Sequence, residues 1–291
     1  MSGPATIRVA TFNVLGLPGA LPRLADRAVE ICRRLSASDI DVVNLQEVWG
    51  PRAFTALRAG LPSYPHIAWH RGIGARPAGG LVTFSRLPLD GVAFRSYRGT
   101  RPDAGHLGFR LRLAVNSMLQ GVLITTLAGR RTVVANTHMT ANKDGDWSAG
   151  NRHHGMQRDQ LRRLHAMVRR AAGGAGQHST SGQQSTADEQ TAVLTGDFNV
   201  ASDSPLYPTI VDNGHWRDPF ADTDPPTFHV AYLPPGSTGR RIDYLLVSGP
   251  ASVAEARVLF TEPVELDDGR RTHLSDHVAL AARITLPGVG V

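Results

Sequence analysis

The chain has 291 residues, of which 41% are hydrophobic and 19% charged, as is ordinary for a soluble globular protein. The formal charge of +6 allows an anionic partner, but the basic residues are spread along the chain and Lys143 is the only lysine, so no designed basic patch is indicated. The single cysteine, Cys32, excludes an intramolecular disulfide and a cysteine-based zinc site. Its helical surroundings predict a buried structural thiol.

The sequence shows no recognisable targeting signal. Its first residues lack the basic segment and apolar stretch that are typical of a secretory leader. No apolar run approaches the roughly 20 residues that a membrane-spanning helix needs. We therefore expect a soluble cytoplasmic protein, secreted only if a leader was removed.

Short apolar runs rich in Val, Ile, Leu and Thr predict many strands. In chain order they lie at 7–14, 40–45, 66–69, 80–84, 92–97, 121–127, 132–136, around 193, and at 241–247, 253–260 and 277–284. Apolar residues at helical spacing predict helices over 21–35, from Pro51 to near Gly60, and over 159–170. The stretch 171–190 has almost no large apolar residue and predicts a flexible surface loop. This pattern predicts one domain over 1–291, a four-layer α/β sandwich in which helices flank two packed mixed β-sheets.

The run from Thr191 to Val200 is the most informative strand. It breaks at Gly196 and then presents a carboxylate and an amide, Asp197 and Asn199. In an extended segment these two residues share a face, so that both would point at one site. A plain turn is the alternative, because Gly, Asp and Asn are common turn formers.

Other predicted strands also bear polar residues that a buried strand would not favour, namely Asn13, Glu47, His138, Asp243, Asp276 and His277. Each has a plainer interpretation: a turn for Asn13, a cap or surface acid for Glu47 and Asp276, and a core imidazole for either histidine. Asp243 lies within a strand and must be paired if buried, with Arg240 or Arg241 as one choice. The shared pattern, a short apolar strand that delivers a polar group, favours a functional site.

In their order along the chain, six motifs resemble the endonuclease/exonuclease/phosphatase superfamily of divalent-metal phosphoesterases. They are Thr11-Phe12-Asn13, Gln46-Glu47, Thr137-His138, Gly196-Asp197-Phe198-Asn199, Arg241-Ile242-Asp243-Tyr244 and Ser275-Asp276-His277. Single motifs of this length are weakly specific, whereas all six in the family order are strongly so.

Three further stretches resemble the neutral sphingomyelinase branch of that superfamily: Asp41 to Trp49, Gly79 to Arg86 and Gln120 to Leu123. The branch usually has lysine where Gln120 stands, so this position departs from the pattern of the branch. The exposed aromatic hairpin with which secreted members enter membranes has no evident counterpart, since aromatic residues make up only 6% of the chain.

The resemblance implies a role for each matching residue. Glu47 would anchor Mg²⁺, with Mn²⁺ as the alternative ion, and Asn13 would complete or support the metal site. His277 would be the general base that activates water, oriented by Asp243. His138 would donate to the phosphoryl group. Asp197 and Asn199 would position the water and a phosphate oxygen, while Asp276 is either a second metal ligand or an aid to the leaving group.

The segment 139–155 follows His138 and is expected to line the rim of the cleft through Trp147 and Arg152. Arg152 and Gln157 resemble family residues that brace this loop. We expect a phosphodiester substrate, either a lipid headgroup or nucleic acid, hydrolysed in the manner of a sphingomyelinase or phospholipase C. The alternatives are a nuclease, a phosphomonoesterase on inositol or sugar phosphates, and a binding module that has kept the fold. Nothing in the sequence indicates an obligate protein partner.

Overall fold

The computed structural model describes residues 5–17, 19, 22–173 and 190–287. The helices are α1 (Leu24–Ala37), α2 (Pro51–Gly60), α3 (Leu107–Leu119), α4 (His154–Ala172) and the short α5 (Tyr207–Ile210). The strands are β1 (Ala5–Asn13), β2 (Val42–Gln46), β3 (His66–Ala68), β4 (Val82–Ser85), β5 (Leu89–Ser96), β6 (Gly121–Leu127), β7 (Thr132–His138), β8 (Thr191–Asp197), β9 (Asp243–Ser248), β10 (Ser252–Leu259), β11 (Val264–Glu265), β12 (Arg271–Thr272) and β13 (Ala279–Leu286).

Two sheets form the centre of the molecule. One has the strand order β10-β13-β1-β2-β4-β3 and the other β5-β6-β7-β8-β9. Each sheet is mixed, because the pairs β1–β2 and β7–β8 are parallel and their neighbours antiparallel. Apolar side chains of α1 and α2 cover the outer face of the first sheet, and those of α4 cover the second. The predicted four-layer α/β sandwich is confirmed.

The strand residues that face the opposite sheet change in character along each strand. The alternation of side chains puts every second residue of a strand in this layer. Read toward the site, the series are Val9-Thr11-Asn13 on β1, Val42-Asn44-Gln46 on β2, Val134-Asn136-His138 on β7, Val193-Thr195-Asp197 on β8, and Val247-Leu245-Asp243 on β9. The layer is therefore apolar at one edge of the sandwich and carries acids, amides and a histidine at the other.

Between these two edges, hydrogen bonds join the sheets. The Asn44 side chain donates to Thr195 Oγ1 at 2.8 Å and accepts from Thr83 Oγ1 at 2.6 Å. Gln46 Nε2 donates to Asn136 Oδ1 at 2.7 Å. All these side chains are fully buried, so each bond satisfies a group that water cannot reach. These hydrogen bonds fix the position of one sheet relative to the other, directly beneath the site.

We expect Thr195→Val to lower the free energy of unfolding by about 1–3 kcal/mol, because the isosteric change leaves a buried amide hydrogen of Asn44 without an acceptor. Urea denaturation measures the difference. Thr6→Val is the matched control, since Thr6 is exposed on β1 of the partner sheet. Equal stability of the two variants would show that the bond between the sheets contributes nothing.

Several boundaries differ from the sequence prediction. The helix predicted from 159 begins at His154, and it continues through Ala172, so the first residues of the predicted loop 171–190 are helical. The remainder of that loop, 174–189, lies outside the described residues. The prediction of a buried Cys32 is confirmed, and burial raises the pKa of its thiol to about 11. Within the described ranges, no helix is both long and apolar enough to cross a bilayer.

Helix α3 was not predicted from the sequence. Its apolar residues lie on two opposite faces, so the segment lacks the single apolar stripe by which the other helices were predicted. Phe109 and Leu113 are buried against Met156 of α4, whereas Leu107 and Leu111 point outward.

Candidate active site

The predicted site residues meet at the polar edge of the inter-sheet layer. In the second sheet, His138 pairs with Asp197 and Asp197 with Asp243, so three neighbouring strands deliver their functional residues side by side. In the first sheet, Asn13 is the last residue of β1, and Glu47 directly follows β2. The side chains of Asn13, His138, Asp197 and Asp243 are buried in the layer between the two sheets.

His277 and Asp243 form a hydrogen-bonded pair. His277 Nδ1 lies 2.8 Å from Asp243 Oδ2. This leaves Nε2 facing the other carboxylates, 3.8 Å from Asp197 Oδ2 and 4.0 Å from Asp276 Oδ1. The alternative in which Asp243 pairs with a neighbouring arginine is wrong, because Arg241 binds Asp218 and Asp224 instead.

The two site histidines have pKa values displaced in opposite directions. Burial by itself would lower the pKa of His277, but the charge of Asp243, its hydrogen bond and the charges of Asp197 and Asp276 outweigh burial and raise the pKa to about 10. Burial, followed by the positive charge of His277, lowers the pKa of His138 to about 4. In the absence of a metal these surroundings therefore favour the imidazolium form of His277 and the neutral imidazole form of His138.

Asn13 connects the two sheets within the site. Its Nδ2 donates to Glu47 Oε1 at 3.3 Å and to Asp197 Oδ2 at 3.0 Å. Its Oδ1 accepts the backbone N–H of Leu15 at 3.0 Å. Because both ends of the amide are engaged, this geometry suits Asn13 to orienting the two carboxylates.

Glu47 is the best candidate for holding a metal ion. Its backbone has a φ of 62°, in the left-handed region that a residue with a side chain seldom adopts, and such strain is common where a side chain must be aimed. Burial raises the pKa of its carboxyl group. Its Oε2 is buried and finds no hydrogen-bond partner among the described residues. A buried carboxylate oxygen without a donor fits a divalent cation, which prefers oxygen ligands.

A second group of potential ligands lies beside Glu47. One donor atom each from Asp197, Asp243 and His277 fall within 4.8 Å of one another. Since His277 Nδ1 already binds Asp243, these three residues are also suited to transferring a proton. Asp276, half-buried at the edge, could ligate a cation or approach a leaving group, as the sequence left open.

Asn199 differs from the extended conformation assumed from the sequence. β8 ends at Asp197, and Asn199 has a φ of 53°, so the two side chains do not share a strand face. The backbone N–H of Asn199 donates to Asp197 Oδ1 at 2.8 Å, which fixes that carboxylate. Its Nδ2 donates to the backbone oxygen of Met139 at 3.1 Å.

Trp147, predicted at the rim, is half-buried and holds the site loops together. Its Nε1 donates to the carbonyl of Asn199 at 2.9 Å, and Gln157 Nε2 donates to the same oxygen at 2.8 Å. The side-chain amide of Gln120 also binds this loop: its Nε2 donates to the backbone oxygen of Met139, and its Oε1 accepts from Thr140 Oγ1. These contacts brace the chain after His138.

Arg152, the other predicted rim residue, is exposed and forms a bidentate pair with Asp144. Its guanidinium lies over the ring of Phe109 in α3, 4.2 Å from the ring centre. Arg152 thus joins the rim loop to α3.

A family model matches most of the chain. The model of the endonuclease/exonuclease/phosphatase family matches residues 10–277, from within β1 to the site histidine. The chain belongs to the endonuclease/exonuclease/phosphatase family. Members of this family are hydrolases that act on phosphoesters, and they generally depend on a divalent metal.

Comparison with individual proteins finds one similar curated protein and many similar solved structures. A Drosophila melanogaster protein named "Putative neutral sphingomyelinase" is 25% identical over 96% of this chain, which spans 61% of that relative's own length. The crystal structure of sphingomyelinase C from Streptomyces griseocarneus has a TM-score of 0.65 at 22% identity, with 96% of this chain and 99% of that one covered. The D. rerio TDP2 structure with a single-strand DNA product also has a TM-score of 0.65, at 16% identity and with 96% and 99% covered. At these identities the two structures establish a shared fold alone.

Two residues that hold the loops and strands of the candidate site in place were not predicted from the sequence. Arg27 of α1 is buried and donates to the backbone oxygens of Pro22, Val14, Leu15 and Leu274. It thereby ties the loop after Asn13 to the loop before Asp276. Thr227 Oγ1 accepts the backbone N–H of Asp243 at 3.0 Å. Arg27 could have been noticed, because helical spacing places it on the buried stripe of α1 between Leu24 and Ile31; Thr227 gave no signal.

Proposed function

We propose that the chain is a divalent-metal-dependent phosphodiesterase of the sphingomyelinase and phospholipase C type. The observation that carries the proposal is that the His277–Asp243 pair lies within charge-interaction range of Glu47, whose free carboxylate oxygen suits a cation. The lipid assignment draws on the match to the Drosophila relative along 96% of this chain. It draws also on the fold shared with the Streptomyces griseocarneus enzyme.

His277 is the proposed general base. Its Nε2 removes a proton from water as the water oxygen bonds to phosphorus, and the bond from phosphorus to the lipid oxygen breaks. Asp243 accepts the hydrogen bond from Nδ1 and stabilises the imidazolium that forms. The leaving oxygen gains a proton, which the His277 imidazolium formed in this step would supply, either directly or with the help of Asp276, whose Oδ1 lies 4.0 Å from Nε2.

The other residues bind the phosphoryl group. His138, kept neutral by burial, donates an N–H to a phosphoryl oxygen without adding a charge that would repel a cation. Asp197, fixed by Asn13 and by the Asn199 backbone, orients the water. A divalent cation held by Glu47, for which Mg²⁺ or Mn²⁺ is our choice, would supply positive charge to the phosphoryl oxygens and lower the pKa of His277 toward neutrality.

The pH dependence of hydrolysis tests the base. Since the carboxylates raise the pKa of His277 and a base must be unprotonated, kcat/KM should be low in acid and rise with pH. Asp243→Asn removes the charge that raises this pKa most, so the midpoint should move to lower pH while the plateau falls about 10³-fold or more. Asp203→Asn, an exposed acid paired with Arg240, is the control. An unmoved midpoint in Asp243→Asn would show that another group titrates.

The substrate is tested by a parallel assay of the purified protein with Mg²⁺ or with EDTA. We expect phosphocholine release from sphingomyelin that EDTA abolishes. Nicking of a supercoiled plasmid would instead assign the chain to the nucleases, the second candidate, which the shared fold with the DNA-bound D. rerio TDP2 favours. Phosphate release from a phosphoinositide would indicate a phosphomonoesterase. No turnover of any substrate, with His277→Ala identical to wild type, would favour a binding module.

A further inference from the structure

The outward face of α3 is an apolar stripe. Leu107 and Leu111 are 81% and 63% exposed, and Val115, Met118 and Leu119 are also exposed. At 3.6 residues per turn these five positions fall on one side of the helix, opposite the buried Phe109 and Leu113. An aliphatic stripe of this length facing water usually marks an interaction surface.

Two arginines border the stripe. Arg110 and Arg112 are exposed, and helical geometry places one on each side of it. Neither forms a salt bridge within the part of the chain that the structure describes, and α3 contains no acidic residue. Apolar residues flanked by unneutralised arginines are the composition of a helix that lies in the interface of an anionic bilayer.

The stripe lies beside the catalytic cleft. At the end of α3, Gln120 contacts Met139 and Thr140, which directly follow His138. Near its start, Phe109 packs edge-on against His153, with ring centres 5.2 Å apart. Both ends of the helix are thus joined to the loop that follows the site residue His138.

Exposed apolar residues also occur on three other segments at this edge of the sandwich. Leu17 follows β1, and Val230 and Tyr232 follow Phe228, which pairs with His277. Ile73, 82% exposed, lies between β3 and β4 in a loop from Arg71 to Arg76, both of whose arginines are exposed. That loop is at the cleft, because β4 begins beside the end of β2.

The exposed large apolar residues are unevenly distributed over the described surface. Of the eleven exposed large apolar residues in the described ranges, all except Val29 and Val92 belong to α3 or to these three segments, so nine lie on segments adjoining the candidate site. Val29 lies on α1 and Val92 on β5.

We propose that this apolar rim, with α3 as its main element, docks the protein onto an anionic lipid bilayer with the cleft facing the membrane. The inference rests on the proposed function, in which the phosphodiester belongs to a lipid. Docking would bring the headgroup to Glu47 and His277 without extraction of the lipid into water. Except for Tyr232, the exposed apolar residues of this surface are aliphatic.

Sedimentation with lipid vesicles in EDTA tests docking in the absence of turnover. We expect the wild type to bind phosphatidylcholine vesicles more strongly when they contain phosphatidylserine. Leu107→Ser/Leu111→Ser/Val115→Ser should lower the partition coefficient at least about 10-fold, since these side chains are the proposed buried area. Arg110→Ala/Arg112→Ala should reduce the preference for phosphatidylserine. Because all five positions are exposed, the fold should tolerate these changes, which a thermal melt checks.

The control is Val29→Ser/Val92→Ser, which removes exposed apolar residues elsewhere and should bind as wild type does. Equal binding by the α3 variant and this control, or no binding by the wild type, would overturn the proposal. So would a wild-type dimer in light scattering that the α3 variant converts to monomer, because a second copy would then cover the stripe.

Failure of docking and failure of the proposed function are separable. Hydrolysis of bis(4-nitrophenyl) phosphate, a water-soluble phosphodiester, should be the same in the α3 variant and the wild type, whereas hydrolysis of vesicle lipid should fall with binding. If vesicle binding depends on α3 but sphingomyelin is not cleaved, the docking surface is supported and the proposed substrate is rejected. If sphingomyelin in vesicles is cleaved equally by the α3 variant and the wild type, the proposed substrate is supported and the docking surface is rejected.

Discussion

His277→Ala lowers kcat for phosphodiester hydrolysis by about 10²–10⁴-fold, the contribution expected of a positioned general base. The physical reason is the loss of the Nε2 that faces the cleft between Asp197 and Asp276, while every group that binds the phosphoryl oxygens remains. The measurement is steady-state hydrolysis of sphingomyelin and of a soluble phosphodiester with saturating Mg²⁺. KM should change much less than kcat, because the lost proton acceptor acts in the transition state.

This variant needs a folding control. Alanine removes the hydrogen-bond partner of the buried Asp243 carboxylate, and leaving a buried charge unpaired destabilises a protein. His277→Gln keeps a polar group at the position and should be as inactive, with a thermal melt closer to wild type. His215→Ala, at an exposed histidine beside Trp216, should retain full activity. Substantial activity in both folded His277 variants would reject this residue as the base.

Glu47→Gln raises the Mg²⁺ concentration for half-maximal activity by about 100-fold and lowers kcat at intermediate Mg²⁺. Glutamine can still accept the hydrogen bond from Asn13, so the change removes mainly the negative charge and the free Oε2. Loss even of a supporting group at a metal site costs about 10–100-fold in affinity, and a direct ligand should be at the upper end.

Metal binding can be read without turnover. A ligand that binds only the folded state raises its thermal stability, so Mg²⁺ or Mn²⁺ should raise the melting temperature of wild type and much less that of Glu47→Gln. Glu265→Gln, at an exposed acid on β11, should respond as wild type does. Equal stabilisation of all three proteins would place the cation away from Glu47, with Asp197, Asp243 and His277 as the next candidate ligands.

The sequence determined the layered fold and the strand positions of four candidate site residues, Asn13, His138, Asp197 and Asp243, because both depend on a period-two pattern. Residues such as Val193, Thr195 and Asp197 alternate with outward-facing ones, so a run of letters already states which side chains share the inter-sheet layer. Burial against an apolar partner enforces this alternation, and a slip of one residue would expose the whole set. Family motifs then gave the order in which the strand ends appear.

Other features depend on contacts between segments far apart in the chain. No local pattern says that Arg241 binds Asp218 and Asp224 and so leaves Asp243 to His277, or that Arg27 ties together the loops on either side of the cleft. The left-handed turns at Glu47 and Asn199 are likewise imposed by packing, against the preference of residues with side chains. The outward stripe of α3 was hidden because exposure is a property of the assembled surface. By itself the sequence determined which residues are available for chemistry; the tertiary structure decided which of them meet, since pairing energies arise only once the two sheets have closed on each other.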